Sequence, residues 1–462
     1  MNDSMNRNVE FALSRATDTK YLLIKCGAIE SVADAFISQF HDSEAIIISE
    51  ESMLEFAVSK LFKALKAEYP DIKEISTHKS RFSECYTSII FENKDLYAHW
   101  GYIEKLDEIL SNTDAIPVAI GSGTINDLVK LSSHHNNRNY LIVATAASMD
   151  GYTAFGASIT KDGSKETFSC PAPRVLIADI DIIASAPSSM TASGYADLFA
   201  KVASGADWIL AYAMGVEAID PVSFSIVQNG LHQALSDPNK INSGDKVAIQ
   251  HLIEGLILSG FAMQSHKSSR PASGADHQFS HLWNMQHHTM ENGSTPSHGF
   301  QVSIGTLVSL ALYEELLKFN FQEFDIDKVI DKWPSKESQI EKALSSFKGT
   351  DFPTIGATEV AAKYNTKEEI REQFIRLKEN WTETRERLKN QLIPLDKAVK
   401  MLKVVGAPTH PLQIGVSMEK LRESVILAQM IRRRFTILDL ALRADLLDSW
   451  LDNVFNNPIW NN

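Results

Sequence analysis

Pro117-Val118-Ala119-Ile120 runs straight into Gly121-Ser122-Gly123-Thr124-Ile125-Asn126-Asp127, and this junction decides how the first part of the chain is read. A short apolar run closing on small residues reads as a strand turning sharply into a helix. Glycines at such a turn let backbone N–H groups approach a pyrophosphate, and the helix N-terminus that follows favours its negative charge. The pattern is neither a full Gly-x-Gly-x-x-Gly nor a Gly-Lys-Ser/Thr phosphate loop, so a plain tight turn is the alternative.

Working outward, Tyr21 to Lys25 is another short apolar run, and Ala28 to Phe40 has helical spacing. Glu44 to Ser49 is a continuous β-branched run, the signature of a strand covered on both faces. Helical patterning follows from Met53 to Ala67, with further strands at Ser88 to Phe91, Tyr140 to Ala144 and Val175 to Ala178. Strands separated by helices predict an α/β domain over residues 1–187, a Rossmann-like, doubly wound and mostly parallel sheet. After Pro187 the texture becomes helical, at Thr191 to Met214, Lys246 to Met263, Val302 to Leu317, Glu368 to Leu392 and Ser417 to Ala444. Ile370, Phe374, Leu377, Trp381 and Leu388 mark one apolar stripe, read as core packing. Residues 188–462 are therefore expected to form an all-α domain, with the ligand in the crevice between the two.

The chain has 462 residues, 44% hydrophobic and 22% charged, enough for two sizeable cores. Its formal charge of −13 excludes a surface built for nucleic acid or acidic membranes, because phosphate backbones need the opposite field. A small phosphorylated substrate needs only one or two local cations and stays open. Cys26, Cys85 and Cys170 form no Cys-x-x-Cys pair, which favours a reducing, cytoplasmic setting and argues against a thiolate metal site. Met1 to Arg15 lacks the apolar core of a signal peptide, and no run of about 18 uncharged apolar residues suggests membrane insertion.

The residues that carry chemistry cluster in a few segments. Thr145-Ala146-Ala147-Ser148-Met149-Asp150-Gly151-Tyr152 follows a strand, where small residues permit close ligand approach; a capped polar turn is the alternative. Glu50 follows the strand Ala45 to Ser49, a usual place for a carboxylate that bonds a ribose hydroxyl, or for a solvated glutamate. Asp197 in Gly194-Tyr195-Ala196-Asp197-Leu198, together with His277, His281 and His298, offers one carboxylate and two or three imidazoles. That is the donor supply of a catalytic divalent ion, zinc or a neighbouring first-row metal such as nickel or iron. His277 and His281 are spaced to share one helix face, although fourteen histidines produce close pairs by chance. Lys201 sits one helical turn after Asp197, as an ion-pair partner or a charge for substrate phosphate, a role for which Arg270 competes. Arg432-Arg433-Arg434 reads as a solvated helix face.

Together these segments resemble the iron-containing alcohol dehydrogenase and dehydroquinate synthase superfamily, and within it the sn-glycerol-1-phosphate dehydrogenases. The likeness rests on Gly121 to Asp127, Thr145 to Tyr152, Gly194 to Lys201 with Asp207-Trp208, Ser269 to His281, and His298-Gly299. It extends to Gly406-Ala407-Pro408-Thr409 and to Ile431 through Asp439. The resemblance implies that Asp197, His277 and His298 hold the metal, that His281 faces the substrate and that Asp150 bonds it. It also implies that Gly121, Ser122, Gly123, Thr124, Ile125, Thr145 and Ser148 line the dinucleotide, with Glu50 on a ribose. Three features depart from the family pattern: Asp276-His277-Gln278, Ala154, and an expanded segment between Ala67 and Asp114.

The activity so implied is reduction of dihydroxyacetone phosphate to sn-glycerol 1-phosphate by NADH or NADPH, with one divalent metal, in a homodimer. A related polyol or polyol-phosphate dehydrogenase, a dehydroquinate-synthase-like lyase and a non-catalytic dinucleotide-binding protein are the alternatives. Between His277 and His281, one ligand beside one substrate contact is preferred to two ligands, because a third imidazole would close the position that catalysis needs open.

Overall fold

Runs such as Ile46-Ile47-Ile48 and Leu141-Ile142-Val143 put apolar side chains on both faces of a strand, so they are stable only where both faces are covered. In the computed structural model, which describes residues 3–41, 43–53, 57–60, 88–91, 96–161 and 164–461, these runs are β1 (Tyr21–Lys25), β2 (Ala45–Glu50), β3 (Ser88–Phe91), β4 (Ile116–Gly121), β5 (Leu141–Ala144) and β8 (Val175–Asp179). They form one six-stranded sheet in the order β1-β8-β5-β4-β2-β3, with every pairing parallel. The strands read from sequence are all present.

One face of the sheet presents Ile47, Val118, Ile120, Leu141, Val143, Val175 and Ile177 to Val32, Ala35, Phe36 and Phe40 of α1 (Val32–Phe40). On the other face Ile46 packs with Leu110 of α2 (Trp100–Ser111), which lies beside α3 (Gly123–His135). Burying each such aliphatic side chain is worth roughly 1.5–3 kcal/mol, which fixes strand register. Two further strands, β6 (Ala157–Lys161) and β7 (Ser164–Phe168), make an antiparallel hairpin that the sequence reading did not anticipate. Polar residues such as Ser158, Thr160, Lys165 and Glu166 dilute its apolar alternation.

Beyond β8 the described residues are helical or irregular. The helices that bear on the candidate residues are α4 (Ser188–Ala213), α5 (Lys246–His266), α6 (Ala275–Met285), α7 (His298–Lys318), α8 (Met418–Met430) and α9 (Ile437–Arg443). By length and composition α5 and α7 could cross a membrane, but 83% and 78% of their most apolar stretches are buried within the protein, as in core helices. Two expectations need correction. The helix over Glu368 to Leu392 is broken at Asn380 into Lys367–Glu379 and Trp381–Gln391, though its apolar stripe is buried as expected. The helix over Ser417 to Ala444 is interrupted at residues 431–436, so Arg432-Arg433-Arg434 is no helix face, and only Arg433 is exposed. Most of the helix expected from Met53 to Ala67 lies outside the described residues, as does Cys85.

The chain forms two compact units, Met1–Leu198 with Asn229–Ser268 and Phe199–Gln228 with Ser269–Asn462.

Within the first unit a buried lysine sets the loop after β5. Lys130 on α3 donates to the carbonyls of Gly151, Ala154 and Gly156 at 2.8, 3.0 and 3.1 Å, using all three ammonium protons. Replacing it leaves three carbonyls short of a donor, and an unsatisfied buried polar group costs about 1–3 kcal/mol. Lys130→Met is therefore expected to lower stability by at least about 2 kcal/mol. Urea unfolding checks this, and an unchanged midpoint would contradict the assigned role.

Candidate active site

The parallel register brings three of the candidate segments to one edge of the sheet. Ser49 lies opposite Ile120 and Gly121 opposite Ala144, so Glu50, the Gly121 turn and Thr145 stand at the carboxyl ends of adjacent strands. The chain leaves β2 toward β3 on one side and β4 toward β5 on the other, which makes the β2–β4 boundary a topological switch point. Thr145 N–H donates to the Gly121 carbonyl at 3.2 Å and locks the two turns together. Ser122 is the N-cap of α3 but offers no side-chain cap, while its carbonyl accepts from Asn126 N–H at 3.0 Å. Gly123, Thr124 and Ile125 thus form the first helical turn, whose N–H groups have no i−4 acceptor within the helix. Ser148 is half-buried on the loop beyond Thr145. Burial pushes the Glu50 carboxyl up from its ordinary value.

The loop that follows β5 is tied to α4 and α5 within the first unit. Asp150 N–H donates to Asp197 Oδ2 at 3.0 Å, and Asp150 Oδ2 accepts from Ser259 Oγ at 2.8 Å. Helix α4 approaches so closely at Gly194 that any Cβ there would run into the carbonyl oxygen of Ala147. That close approach is the physical reason for glycine in the Gly194-Tyr195-Ala196-Asp197 segment. Ser259 carries no sequence signal, since it lies far along the chain from Asp150.

The second unit carries the histidines. His277 and His281 share α6, as expected, and His298 opens α7 behind its N-cap Ser297, four residues before the apolar run that begins at Val302. The rings of His277 and His298 are 5.2 Å apart. His277 Nδ1 bonds the carboxylate of the fully buried Asp276, and His298 Nδ1 shares a proton with Ser280 Oγ at 3.1 Å. Each bond fixes a ring so that Nε2 is the nitrogen presented to an ion. Asp276 and Ser280 escaped the sequence reading because neighbours and i+3 residues of a ligand look like ordinary helix positions. One ligand atom each from Asp197 on α4, His277 and His298 lie within 4.8 Å of one another. A carboxylate with two imidazoles fits a divalent first-row ion in its chemistry as well as its spacing.

His281 is not part of that trio. Burial, then the charge of Arg432, then the other two imidazoles and Arg434 hold its pKa well below the ordinary histidine value. Lys201 is fully buried on α4, and its carbonyl accepts from Gln228 and Gln391. Arg270, expected to compete for a substrate phosphate, is instead committed to structure. Its Nε pairs with Glu217 at 2.8 Å, its Nη2 donates to the Asp207 carbonyl at 3.2 Å, and its guanidinium lies over Trp208.

One buried carboxylate organises this unit. Asp207 Oδ1 accepts from Tyr313 OH of α7 at 2.7 Å and from Ile437 N–H, the first residue of α9, at 2.8 Å. Its Oδ2 accepts from Ala275 N–H, the first residue of α6, at 2.7 Å. Gly274 is required beside it, because a Cβ would collide with Oδ2 of Asp207. Burial pushes the Asp207 carboxyl up to about 7 against the pull of these donors.

The model of the iron-containing alcohol dehydrogenase family matches residues 23–187. The glycerol-1-phosphate dehydrogenase [NAD(P)+] of Halalkalibacterium halodurans is 35% identical over 207 residues, 45% of this chain and 52% of that protein. The enzyme of the same name from Pyrococcus abyssi is 30% identical over 264 residues, 55% of this chain and 75% of that protein. The chain spans about half the length of several of the curated relatives it matches. Among solved structures, a probable glycerol dehydrogenase from Sinorhizobium meliloti 1021 superposes with a TM-score of 0.57 at 13% identity, covering 94% of this chain and 98% of that one.

The raised Asp207 pKa has a stability consequence. Between about pH 4 and about pH 7 the folded state keeps a proton that the unfolded state releases, so stability falls as pH rises through that window. Asp207→Asn removes this slope while also losing the acceptor for Ala275 N–H. The wild type's advantage over Asp207→Asn should therefore be largest near pH 4 and shrink toward pH 7. Urea unfolding at both pH values checks it, and a constant difference would contradict the raised pKa.

Proposed function

The chain belongs to the glycerol-1-phosphate dehydrogenase family of the iron-containing alcohol dehydrogenases, and from that premise we propose that it reduces dihydroxyacetone phosphate to sn-glycerol 1-phosphate with NADH or NADPH. The observation that carries this reading is the Asp197, His277 and His298 donor set, gathered within 4.8 Å. The sheet edge formed by Glu50, Gly121 to Ile125, Thr145 and Ser148 supports the dinucleotide half of the reading. Lewis acidity toward the substrate carbonyl oxygen is what a divalent ion at the donor set would contribute, zinc first and nickel or iron also fitting, and hydride is what a reduced nicotinamide would contribute.

The chain's own side chains then have distinct tasks. Asp276 and Ser280 hold the ligand rings, so the site needs little rearrangement to bind. Asp150, oriented by Ser259 and by Asp197, offers a carboxylate to a substrate hydroxyl. His281, neutral at physiological pH because its pKa is depressed, passes a proton toward the carbonyl oxygen from its ring N–H or through a water it holds. A neutral imidazole in this role acts as a relay and is replenished from solvent.

NADH oxidation with a panel of keto-sugar phosphates tests the reading, and turnover is expected with dihydroxyacetone phosphate. No oxidation with any phosphorylated ketone would sink it, and a preference for another chain length would move it to a different polyol phosphate. His281→Ala is expected to lower kcat by roughly 100-fold, the usual worth of one positioned proton donor. An unchanged kcat for His281→Ala would contradict the relay.

A further inference from the structure

The arginine run 432–434 finds three different fates in the segment between α8 and α9. Arg433 is spent on the surface, where its side chain and its backbone N–H all bond the Glu359 carboxylate at 2.8–3.1 Å. Arg434 reaches the turn that precedes α6, donating to the Ser273 carbonyl at 2.6 Å and to Ser269 Oγ at 3.0 Å. Arg432 is half-buried, and its guanidinium has no hydrogen-bond or ion-pair partner among the described residues. The carboxylate whose field reaches it is Glu359, already held by Arg433.

Two contacts place Arg432 along α6. Trp283 Nε1, near the end of that helix, donates to Ser424 Oγ of α8 at 2.9 Å, while Arg434 grips residues just before its start. The chain from Ser424 to Arg434 therefore runs antiparallel to α6, with Arg432 beside the stretch that carries His277 and His281. Its charge is the largest that His281 feels. The backbone is fixed on the following side as well, because Asp207 captures Ile437 N–H. A guanidinium stays ionised, and leaving one partly out of water without an anion is costly. Its planar fork matches two oxygens of a phosphate. Arg270, the other arginine of this region considered for that task, is already paired with Glu217.

We propose that Arg432 is the anion anchor of the substrate site and binds the phosphate monoester of the ketone. This rests on the phosphorylated-ketone reading above. The same chemistry could be presented by the 2′-phosphate of NADPH, so the test separates the two sources.

Steady-state kinetics of the wild type, Arg432→Gln and Arg432→Lys would be measured with dihydroxyacetone phosphate and with unphosphorylated dihydroxyacetone, using NADH and then NADPH. Arg432→Gln is expected to raise KM for the phosphorylated ketone roughly 10- to 100-fold, the worth of a charge-assisted pair of bonds. The loss with dihydroxyacetone should be far smaller, because only the effect of the Arg432 charge on His281 is shared by the two ketones, and Arg432→Lys should recover part of the loss. Inorganic phosphate should raise the melting midpoint of the wild type and not of Arg432→Gln, a readout independent of turnover. Equal losses on both ketones, or a rise in KM confined to NADPH, would overturn the proposal. A wild type with no preference for the phosphorylated ketone would overturn the functional reading itself. A wild-type preference that survives in Arg432→Gln would overturn only the role of Arg432.

Discussion

Asp207 is a carboxylate with no access to solvent, and three otherwise unrelated elements depend on it. Its two oxygens receive the first N–H of α6, the first N–H of α9 and the hydroxyl of Tyr313 on α7. Helix N-termini expose N–H groups that the helix cannot satisfy, so one acceptor serving two of them fixes where both helices start. The position of His277 and His281 follows from the start of α6, that of His298 from the packing of α7, and that of Arg432 from the chain leading into α9. Each such bond is worth only about 1 kcal/mol net, but breaking one strands a buried partner at a cost of about 1–3 kcal/mol. The pressure of burial on Asp207 and the donors that hold it are therefore balanced against each other, and the helices are registered by that balance.

The first unit solves its positioning problem by a different device. A parallel sheet needs no single keystone, because register between β2, β4 and β5 already aligns their carboxyl ends. What must be added is a fixed course for the loop beyond β5. Lys130 supplies this from below, Ser259 from α5, and the missing side chain of Gly194 from α4. Asp150 and Asp197 are held in contact as a result, which couples the carboxylate proposed for substrate to the one proposed for the metal through a single backbone N–H.

The strands were legible because apolar runs covered on both faces leave a strong local pattern, as in Ile46 to Ile48. The hairpin β6–β7 was missed although Asp162-Gly163 between its strands is a common hairpin-turn dipeptide, because polar residues dilute the alternation on either side of it. The ligand trio could be proposed from residue types and family likeness, yet its supports could not. Asp276 precedes a histidine, Ser280 precedes another, and nothing in that adjacency reveals which side chains meet. The arginine run was misread for a related reason: a cluster of charges on a helical pattern looks solvated until the helix is seen to break at residues 431–436. Asp207 illustrates the limit, since its partners lie on segments scattered from Ala275 to Ile437 and only the fold joins them.

The central claim is that Asp197, His277 and His298 hold one divalent ion while His281 stands outside the set. Equilibrium dialysis of the purified chain against zinc, followed by metal analysis, tests it most directly. The account predicts one ion per chain in the wild type and in His281→Ala, and loss of that ion in His277→Ala. Retention of the ion by His277→Ala together with its loss from His281→Ala would contradict the account.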